Sequence, residues 1–336
     1  MPSQIKAIEY VFPDNVLTNE MLSKEFPDYD FQSFEKKVGI ANRYIVHDGE
    51  TALDLAVKAC EKLFNRYDKS KVDYILYCTQ SPDYALPTTA CILQERIGLR
   101  NDIGAFDFNL GCSGYTYGLS MARALIDSNQ ANNVLLVTAE TYSKYLHPKD
   151  RSNRAIFGDA ATATIIEETE EEYMGQFLFG TDGSGHDKLI VKNGCAKFSY
   201  DAQSPEKNYG TDNFYTDNNL YMDGPEIMNF TTSTIPSFTN SILEKNNLTV
   251  EDIDQFILHQ ANSFMLNVIR KRLKILPENF YIDLADGGNT VSSTIPIALK
   301  KYSETLTPNE IQNIMLVGFG VGLSWSGGMV KINDAL

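Results

Sequence analysis

Short apolar runs recur along the chain in two matching sets. Val72–Tyr77 reads Val-Asp-Tyr-Ile-Leu-Tyr, and Ile253–Leu258 repeats the pattern as Ile-Asp-Gln-Phe-Ile-Leu about 180 residues later. Asn133–Thr138 and Asn313–Gly318 match at nearly the same offset. Continuous apolar runs of this length, bounded by polar residues, predict buried strands.

A third pair of segments supports an internal duplication. Ala105–Asn109 and Phe280–Leu284 lie between the matched runs, and each leads into a glycine-rich turn. The spacing therefore puts Cys112 and Asn289 at corresponding positions of two α/β halves. Three matches in the same order and at similar offsets favour duplication over a chance similarity of apolar strands.

The duplication divides the chain into three parts. Residues 1–170 are predicted to form an N-terminal half that carries Cys112, and residues 222–336 a C-terminal half with His259 and Asn289. Residues 171–221 join them. Because much of this segment is rich in Gly, Asn, Asp, Lys and Tyr without periodicity, we predict a loop excursion that contributes to a pocket or a dimer contact.

Composition and charge exclude several functional classes. The chain of 336 residues is 43% hydrophobic and 22% charged, which is typical of a soluble globular protein. A net charge of −15 disfavours general nucleic-acid binding. No apolar run approaches the ~20 residues that span a bilayer, and no basic-then-apolar leader begins the sequence, so we expect a cytoplasmic protein with no membrane partner.

The cysteines indicate a reducing compartment. There are five of them, an odd number without close pairs, which favours free thiols over disulfides. No spacing of His, Cys and Asp fits a metal site, so we expect no metal. We expect a packing role for Cys60, Cys78 and Cys91.

Cys112 differs from these because it lies between a predicted strand and a predicted helix, flanked by Gly111 and Gly114. A thiol at a helix N-terminus feels the positive end of the helix dipole and free backbone N–H groups, which favour the thiolate. A narrow glycine turn also lets backbone approach a bound acyl group. The alternative is that Cys112 is a small buried side chain, and Cys112 alone does not decide between the two.

His259 and Asn289 are the other candidates for chemistry. His259 follows a predicted strand, at the end where open α/β sheets place ligands, and Asn289 lies in a Gly-Gly-Asn-Thr turn. Neutral His and Asn both donate hydrogen bonds, so together they can stabilise an anionic oxygen. Taken singly, His259 is more simply a structural histidine, and Asn289 is more simply a turn residue.

Along essentially its whole length the chain resembles the β-ketoacyl-acyl-carrier-protein synthase III family of the thiolase superfamily. The matching motifs are Gly39-Ile-Ala-Asn-Arg, Leu86-Pro-Thr-Thr-Ala-Cys, Asn109-Leu-Gly-Cys-Ser-Gly, Asp150-Arg-Ser, Phe157-Gly-Asp-Ala-Ala, Met222-Asp-Gly-Pro-Glu, His259-Gln-Ala-Asn, Gly288-Asn-Thr and Gly318-Phe-Gly-Val-Gly. The resemblance implies an α/β, five-layered αβαβα fold and a homodimer in which the strand near Ala105 pairs across the two-fold axis.

The resemblance also implies a reaction and its residues. Cys112 would take an acyl group from an acyl-CoA or an acyl-carrier protein, with the oxyanion held by the backbone N–H groups of Cys112 and Val321. His259 and Asn289 would then stabilise the enolate formed when malonyl-acyl-carrier protein loses CO₂, and the carbanion would attack the acyl-Cys to give a 3-ketoacyl thioester. No tightly bound cofactor is implied, because CoA and phosphopantetheine thioesters are substrates. The implied substrate-binding residues are Lys37, Leu86, Arg151, Phe157, Gly224 and Phe319.

Departures from the family pattern concern the acyl donor. The Trp that usually stacks on the CoA adenine is replaced near Ser33, the usual pantetheine-contacting Asn is Pro225, and Leu86 replaces a Phe common in short-chain enzymes. These changes predict a primer longer than acetyl, or one delivered on a carrier protein.

Two other functions stay open, and one surface is a candidate partner site. The first alternative is an acyltransferase that passes the acyl group to an alcohol or an amine. The second is a non-catalytic partner subunit, which the presence of Cys112 disfavours. The basic cluster predicted to dock an acidic carrier protein consists of Arg270, Lys271, Arg272 and Lys274.

Overall fold

A computed structural model describes residues 1–210, 212–308, 310–333 and 336. Its strands are β1 Ser3–Val11, β2 Asn15–Thr18, β3 Asn42–Ile45, β4 Tyr74–Cys78, β5 Gly104–Phe108, β6 Asn133–Glu140, β7 Ala160–Glu168, β8 Met174–Thr181, β9 Leu189–Val191, β10 Lys207–Asn208, β11 Phe214–Tyr215, β12 Leu220–Met222, β13 Gln255–Leu258, β14 Asp286–Gly287, β15 Gln312–Gly320 and β16 Ser324–Ile332.

The helices carry the side chains that cover these strands. They are α1 Asn19–Glu25, α2 Phe31–Val38, α3 Ala52–Phe64, α4 Thr89–Arg96, α5 Gly114–Asp127, α6 Arg151–Arg154, α7 Gly224–Lys245, α8 Ser263–Arg272 and α9 Thr294–Ser303. Local chemistry fixes their starts: Thr51 and Asp54 form a reciprocal capping box before α3, and the Asp223 carboxylate caps α7.

Two sheets repeat one topology. The first has the strand order β1-β7-β6-β4-β5, and the second has the order β13-β15-β16-β8. In both, a parallel pair (β4 with β6, β13 with β15) continues into antiparallel neighbours. The matched apolar runs of the sequence occupy equivalent strands, which confirms the predicted α/β fold built from two duplicated halves.

Three apolar clusters separate the layers. One packs α3 and α4 on the outer face of the first sheet, through residues such as Leu55 and Leu93. A second lies between the sheets, where α5 and α9 contribute Leu119 and Ala298. The third covers the outer face of the second sheet with α7 and α8. The result is the predicted αβαβα order of layers.

The first part of the predicted loop excursion 171–221 is a strand and not a loop. Residues Met174–Thr181 form β8, which pairs antiparallel with β16 and so belongs to the second sheet. The apolar pattern of this strand is interrupted by Gly175 and Gly180, and a Cβ on Gly180 would lie only 2.0 Å from the Trp325 ring. The glycines make room for neighbouring side chains. Because they also interrupt the apolar pattern, hydrophobicity alone does not predict this strand.

The counterpart of β5 in the second half is reduced to one bridge. Only Phe280 of the predicted segment Phe280–Leu284 pairs, in parallel, with Phe256.

Within the described ranges, no helix is both long and apolar enough to cross a membrane.

Candidate active site

Cys112 lies in the turn between β5 and α5, pressed against the end of β15. The residue is only 5% exposed. A Cβ on Gly320 would lie 2.9 Å from both Cβ and Sγ of Cys112, closer than real Cβ contacts come. Glycine is therefore required at position 320 for the strand end to pass beside the sulfur.

The electrostatics of Cys112 correct the expectation of a thiolate. Burial and, to a smaller extent, the nearby Glu140 side chain raise the pKa of the Cys112 thiol to about 12, while the backbone N–H groups of Cys112 and Val321 act in the opposite direction. Hydrogen bonds and a helix dipole are too weak to offset full desolvation at this site. The resting residue is therefore a neutral thiol that needs a proton acceptor.

His259 follows β13 directly and is held at both its backbone and its ring. Its N–H donates to Val317 O (2.9 Å), and the ring meets Phe319 edge to face, with centroids 5.4 Å apart. The side chain is 2% exposed, and burial lowers the pKa of His259 to about 3. The imidazole is therefore neutral at physiological pH.

A threonine sets the tautomer of that imidazole. His259 Nδ1 lies 2.7 Å from Thr294 Oγ1, and the same hydroxyl donates to Val291 O over 3.1 Å. Because the hydroxyl proton is used toward Val291, the ring satisfies the short contact by donating from Nδ1–H. This leaves the lone pair on Nε2, so a proton that reaches the resting imidazole is accepted there.

Asn289 is fixed by its backbone on one side and its own turn on the other. Its N–H donates to Ile156 O (2.9 Å), and its carbonyl accepts from Gly158 N (3.0 Å). Its side-chain oxygen accepts from Val291 N over 2.9 Å, which leaves Nδ2 as the donor of the amide. The preceding Gly288 has a φ of +67°, a left-handed conformation that favours glycine.

These three side chains share neighbours. Phe319 contacts the His259 ring, and the next residue, Gly320, contacts Cys112. The Thr294 hydroxyl connects His259 to the turn that carries Asn289. The structure thus places Cys112 and His259 at the end of β15 and connects His259 through Thr294 to the turn of Asn289.

A buried apolar cluster packs around the Cys112 side chain. Phe157 is 3% exposed and packs against Tyr142 with ring centroids 5.3 Å apart. Leu189 and Leu220, from the segment that joins the two halves, belong to the same cluster. Apolar walls beside a thiol suit a hydrocarbon chain. The fully buried members are Cys112, Tyr142, Phe157, Leu189, Leu220 and Val291.

Lys37 and Arg151, two of the predicted substrate-binding residues, line an open cavity of about 450 Å³. Lys37 of α2 stands over the Phe264 ring at 5.1 Å from its centroid. Arg151, at the start of α6, stacks on the Tyr29 ring at 3.9 Å. A second cavity of about 360 Å³ contains Gly224 and shares Ser152 with the first.

The remaining predicted residues lie at the surface. Leu86 is 81% exposed, and Tyr84 beside it is 61% exposed. The basic cluster ends α8, but two of its members have structural partners: Arg270 Nη1 donates to Ile275 O (2.8 Å), and Arg272 donates to Thr232 O. Lys271 and Lys274 are exposed.

Several expectations and omissions concern side chains that sequence patterns describe poorly. Cys91 is exposed, contrary to the packing role expected for it, whereas Cys60 and Cys78 are buried. Thr294 and Glu140 lie beside the trio and were not anticipated. The available signal for Glu140 was a single acidic residue at the end of an otherwise apolar strand.

Comparison with known proteins gives one result for both halves. The family model for 3-oxoacyl-[acyl-carrier-protein] synthase III matches residues 106–183, and the model for its C-terminal part matches residues 243–332. The chain is 38% identical over 324 residues to the β-ketoacyl-[acyl-carrier-protein] synthase III of Clostridium perfringens strain ATCC 13124, covering 95% of this chain and 96% of that protein. The enzyme of the same name from Caldanaerobacter subterraneus is 34% identical over 323 residues, covering 95% and 94%.

Solved structures agree. A crystal structure of a 3-oxoacyl-(acyl-carrier-protein) synthase III superposes with a TM-score of 0.95 at 45% identity, covering 99% of this chain and all of the other. The synthase III from Thermus thermophilus gives a TM-score of 0.85 at 31% identity, covering 98% and 99%.

Proposed function

The chain belongs to the 3-oxoacyl-[acyl-carrier-protein] synthase III family, and from this premise we propose that Cys112, His259 and Asn289 carry out its reaction. The enzyme is an acyl-transferring condensing enzyme that joins an acyl primer to malonyl-acyl-carrier protein in fatty-acid initiation. Two chemical steps, acyl transfer and decarboxylative condensation, then take place at the same sulfur.

In the first step, Cys112 attacks the thioester carbonyl of the primer. Because burial keeps the thiol protonated, the Nε2 lone pair of His259 accepts its proton and then gives it to the departing CoA or carrier sulfur. The backbone N–H groups of Cys112 and Val321 hold the oxyanion of the tetrahedral intermediate. The products are an acyl-Cys, a free thiol and a neutral imidazole.

In the second step, malonyl-acyl-carrier protein loses CO₂. Proton exchange with solvent removes the Nδ1 proton of His259 and places one on Nε2, and the Thr294 hydroxyl then turns to donate to Nδ1. The Nε2–H and the amide of Asn289 stabilise the enolate oxygen. The carbanion attacks the acyl-Cys and expels the Cys112 thiolate, which recovers a proton from solvent through His259.

The observation that supports this proposal is that Cys112 and His259 lie at the end of β15, beside an apolar cluster, while Thr294 and Val291 link His259 to Asn289. The test separates the two steps. His259→Ala and Asn289→Ala variants are given malonyl-acyl-carrier protein, and the release of CO₂ is measured. We expect a loss of at least about 10²-fold in each. Unchanged CO₂ release in both would contradict the assignment and would favour acyl transfer to an alcohol or an amine.

The cavity lined by Lys37 and Arg151 bears on the choice of acyl donor. Tyr29 is stacked under Arg151, and the exposed Ser33 stands where an adenine-stacking aromatic is usual. We therefore keep the expectation of a primer longer than acetyl or one delivered on a carrier protein. Intact-mass analysis after incubation with acetyl-, butyryl-, octanoyl- and decanoyl-CoA tests this, and loading by acetyl alone would contradict it.

Carrier-protein docking is assigned to the exposed part of the basic cluster, because the carrier is acidic and this chain carries a net charge of −15. Lys271→Glu should lower carrier-dependent turnover at low salt and leave acyl-CoA loading intact. Lys24→Glu, an exposed lysine on α1, is the matched control. Equal effects of the two variants would contradict docking at α8.

A homodimer is proposed through β5. This strand lies at the edge of the first sheet, and its residues are half-buried. Edge strands present unpaired backbone groups that a second copy can satisfy. Light scattering during gel filtration should give twice the mass of 37.6 kDa.

A further inference from the structure

A buried acid to which these steps assign no role lies beside the trio, and burial raises the pKa of its carboxyl group to about 8. Glu140 ends β6 and is completely buried. Its oxygens accept hydrogen bonds from the backbone N–H of Gln80 (3.1 and 3.2 Å), from Ser81 Oγ (3.1 Å) and from Ser292 Oγ (3.0 Å). All of these donors are neutral, so Glu140 connects loops rather than neutralising a cation. A buried acid with such partners needs a physical reason to be retained.

Ser292 belongs to the turn that presents Asn289, and this turn has a strained backbone. Val291 has a φ of +57°, which a β-branched residue rarely adopts. Such a conformation persists only where the surroundings over-determine it. The strained residue is also the one whose N–H holds the Asn289 side-chain oxygen at 2.9 Å.

External hydrogen bonds hold the turn immediately after the strained residue. Ser292 donates to Glu140. Ser293 Oγ lies 2.8 Å from Thr138 Oγ1, on the same strand as Glu140. β6 therefore anchors the 291–293 segment through two successive side chains, Ser292 and Ser293. Of their two partners on β6, Glu140 is the one that also bonds to the loop after β4.

We propose that Glu140 is a positioning residue: through Ser292 it holds the strained turn that aims the Asn289 amide, and so acts on the decarboxylation of the malonyl thioester rather than on acyl loading. This inference rests on the function proposed for Asn289. Acyl loading uses Cys112, His259 and the N–H of Val321, none of which is bonded to Ser292. His259 reaches the turn only indirectly, through the Thr294 hydroxyl and the Val291 carbonyl. Loss of the Ser292 hydrogen bond therefore acts first on the Asn289 amide, and the second step should fall more than the first.

The test compares two hydroxyl deletions at the same carboxylate. Ser292→Ala removes the link to the Asn289 turn, and Ser81→Ala removes a donor on the other side of Glu140, together with an acceptor for Thr141 N (3.1 Å). Ser292→Cys, with a weaker donor of similar shape, gives an intermediate case. For each variant, acyl-Cys formation from butyryl- and octanoyl-CoA is followed by intact mass, and CO₂ release from malonyl-acyl-carrier protein is followed separately.

We expect Ser292→Ala to lower CO₂ release about tenfold while acyl-Cys formation stays within about twofold, with Ser292→Cys between it and the wild type. Ser81→Ala should change both rates by the same factor. A Ser292→Ala variant that loses both activities equally, or neither, overturns the proposal, as does a selective loss of CO₂ release in Ser81→Ala that exceeds the loss in Ser292→Ala. If Ser292→Ala does not fold, an unchanged ratio of the two rates in Ser292→Cys overturns it instead.

Asn289→Ala distinguishes this inference from its premise. If Asn289→Ala retains CO₂ release, the role proposed for Asn289 fails, and the role of Glu140 fails with it. If Asn289→Ala loses CO₂ release and Ser292→Ala does not, only the positioning role fails.

Discussion

Gly320→Ala probes the space beside the nucleophile with the smallest possible change. An added methyl group would lie 2.9 Å from both Cβ and Sγ of Cys112. Non-bonded carbon atoms prefer separations of about 3.5 to 4.0 Å, so one partner must move by roughly 0.6 to 1 Å. Gly320 ends β15 and pairs with Ser324, which restrains its backbone. The sulfur is therefore the atom expected to move.

The magnitude follows from that displacement. A reacting group misplaced by about 1 Å typically loses about 10²-fold in rate. Overpacking a filled site costs about 1 to 3 kcal/mol of unfolding free energy. Gly320→Ala should therefore slow acyl-Cys formation about 10²-fold and leave a folded protein with a slightly lower Tm.

The assay is intact-mass analysis of acyl-Cys formation over time, with thermal unfolding of the same samples. Gly183→Ala is the matched control, because a Cβ there meets no atom within 4 Å. It should leave both quantities unchanged. Acylation of Gly320→Ala at the wild-type rate would refute the placement of Cys112 against the end of β15. A loss of the same size in Gly183→Ala would show that the effect is not specific to that contact.

Three further predictions concern other residues of the site. Because the pKa of His259 is lowered to about 3, the unfolded chain binds more protons than the folded one between pH 3 and 6.5, so stability rises with pH there and is lost on acidification. From pH 7 to 5 the wild type should lose about 2 kcal/mol of unfolding free energy more than His259→Gln in denaturant titrations, and equal losses would contradict a buried neutral imidazole. Thr294→Val keeps the shape and removes the partner of His259 Nδ1, so condensation should fall by up to about 10²-fold with little change in Tm, and unchanged kcat would contradict the tautomer argument. Leu86 is 81% exposed, so Leu86→Phe should leave the unfolding free energy within about 0.5 kcal/mol while shifting loading toward shorter acyl-CoA primers, and an unchanged acyl preference would remove Leu86 from the acyl pocket.

The sequence predicted the repeated architecture because strand burial is written directly into apolar runs. β4, β6, β13 and β15 are fully sheltered between helices, so their residues are almost continuously hydrophobic. β8 was missed because it is a partly exposed edge strand whose glycines accommodate neighbouring side chains. Edge strands carry a weak pattern for this reason.

The positions of the candidate trio were predictable because Cys112 and Asn289 lie in glycine-rich turns and His259 directly follows a strand. Their ionisation was not, because it depends on burial that only packing reveals. Cys112 has the helix terminus that usually favours a thiolate, yet desolvation raises its pKa to about 12. Thr294 and Glu140 were missed because their importance lies in their partners, Val291 and Ser292 among them, which are distant in sequence or ordinary in type.

Mass spectrometry of the loaded enzyme followed by a malonyl chase tests the central claim most directly. The wild type, incubated with a panel of acyl-CoA thioesters, should gain one acyl mass on the peptide that contains Cys112, and Cys112→Ala should gain none. On addition of malonyl-acyl-carrier protein, the adduct should disappear as CO₂ and a 3-ketoacyl-carrier protein form. An acyl group on another residue, or a Cys112 adduct that survives the malonyl thioester, would contradict the account.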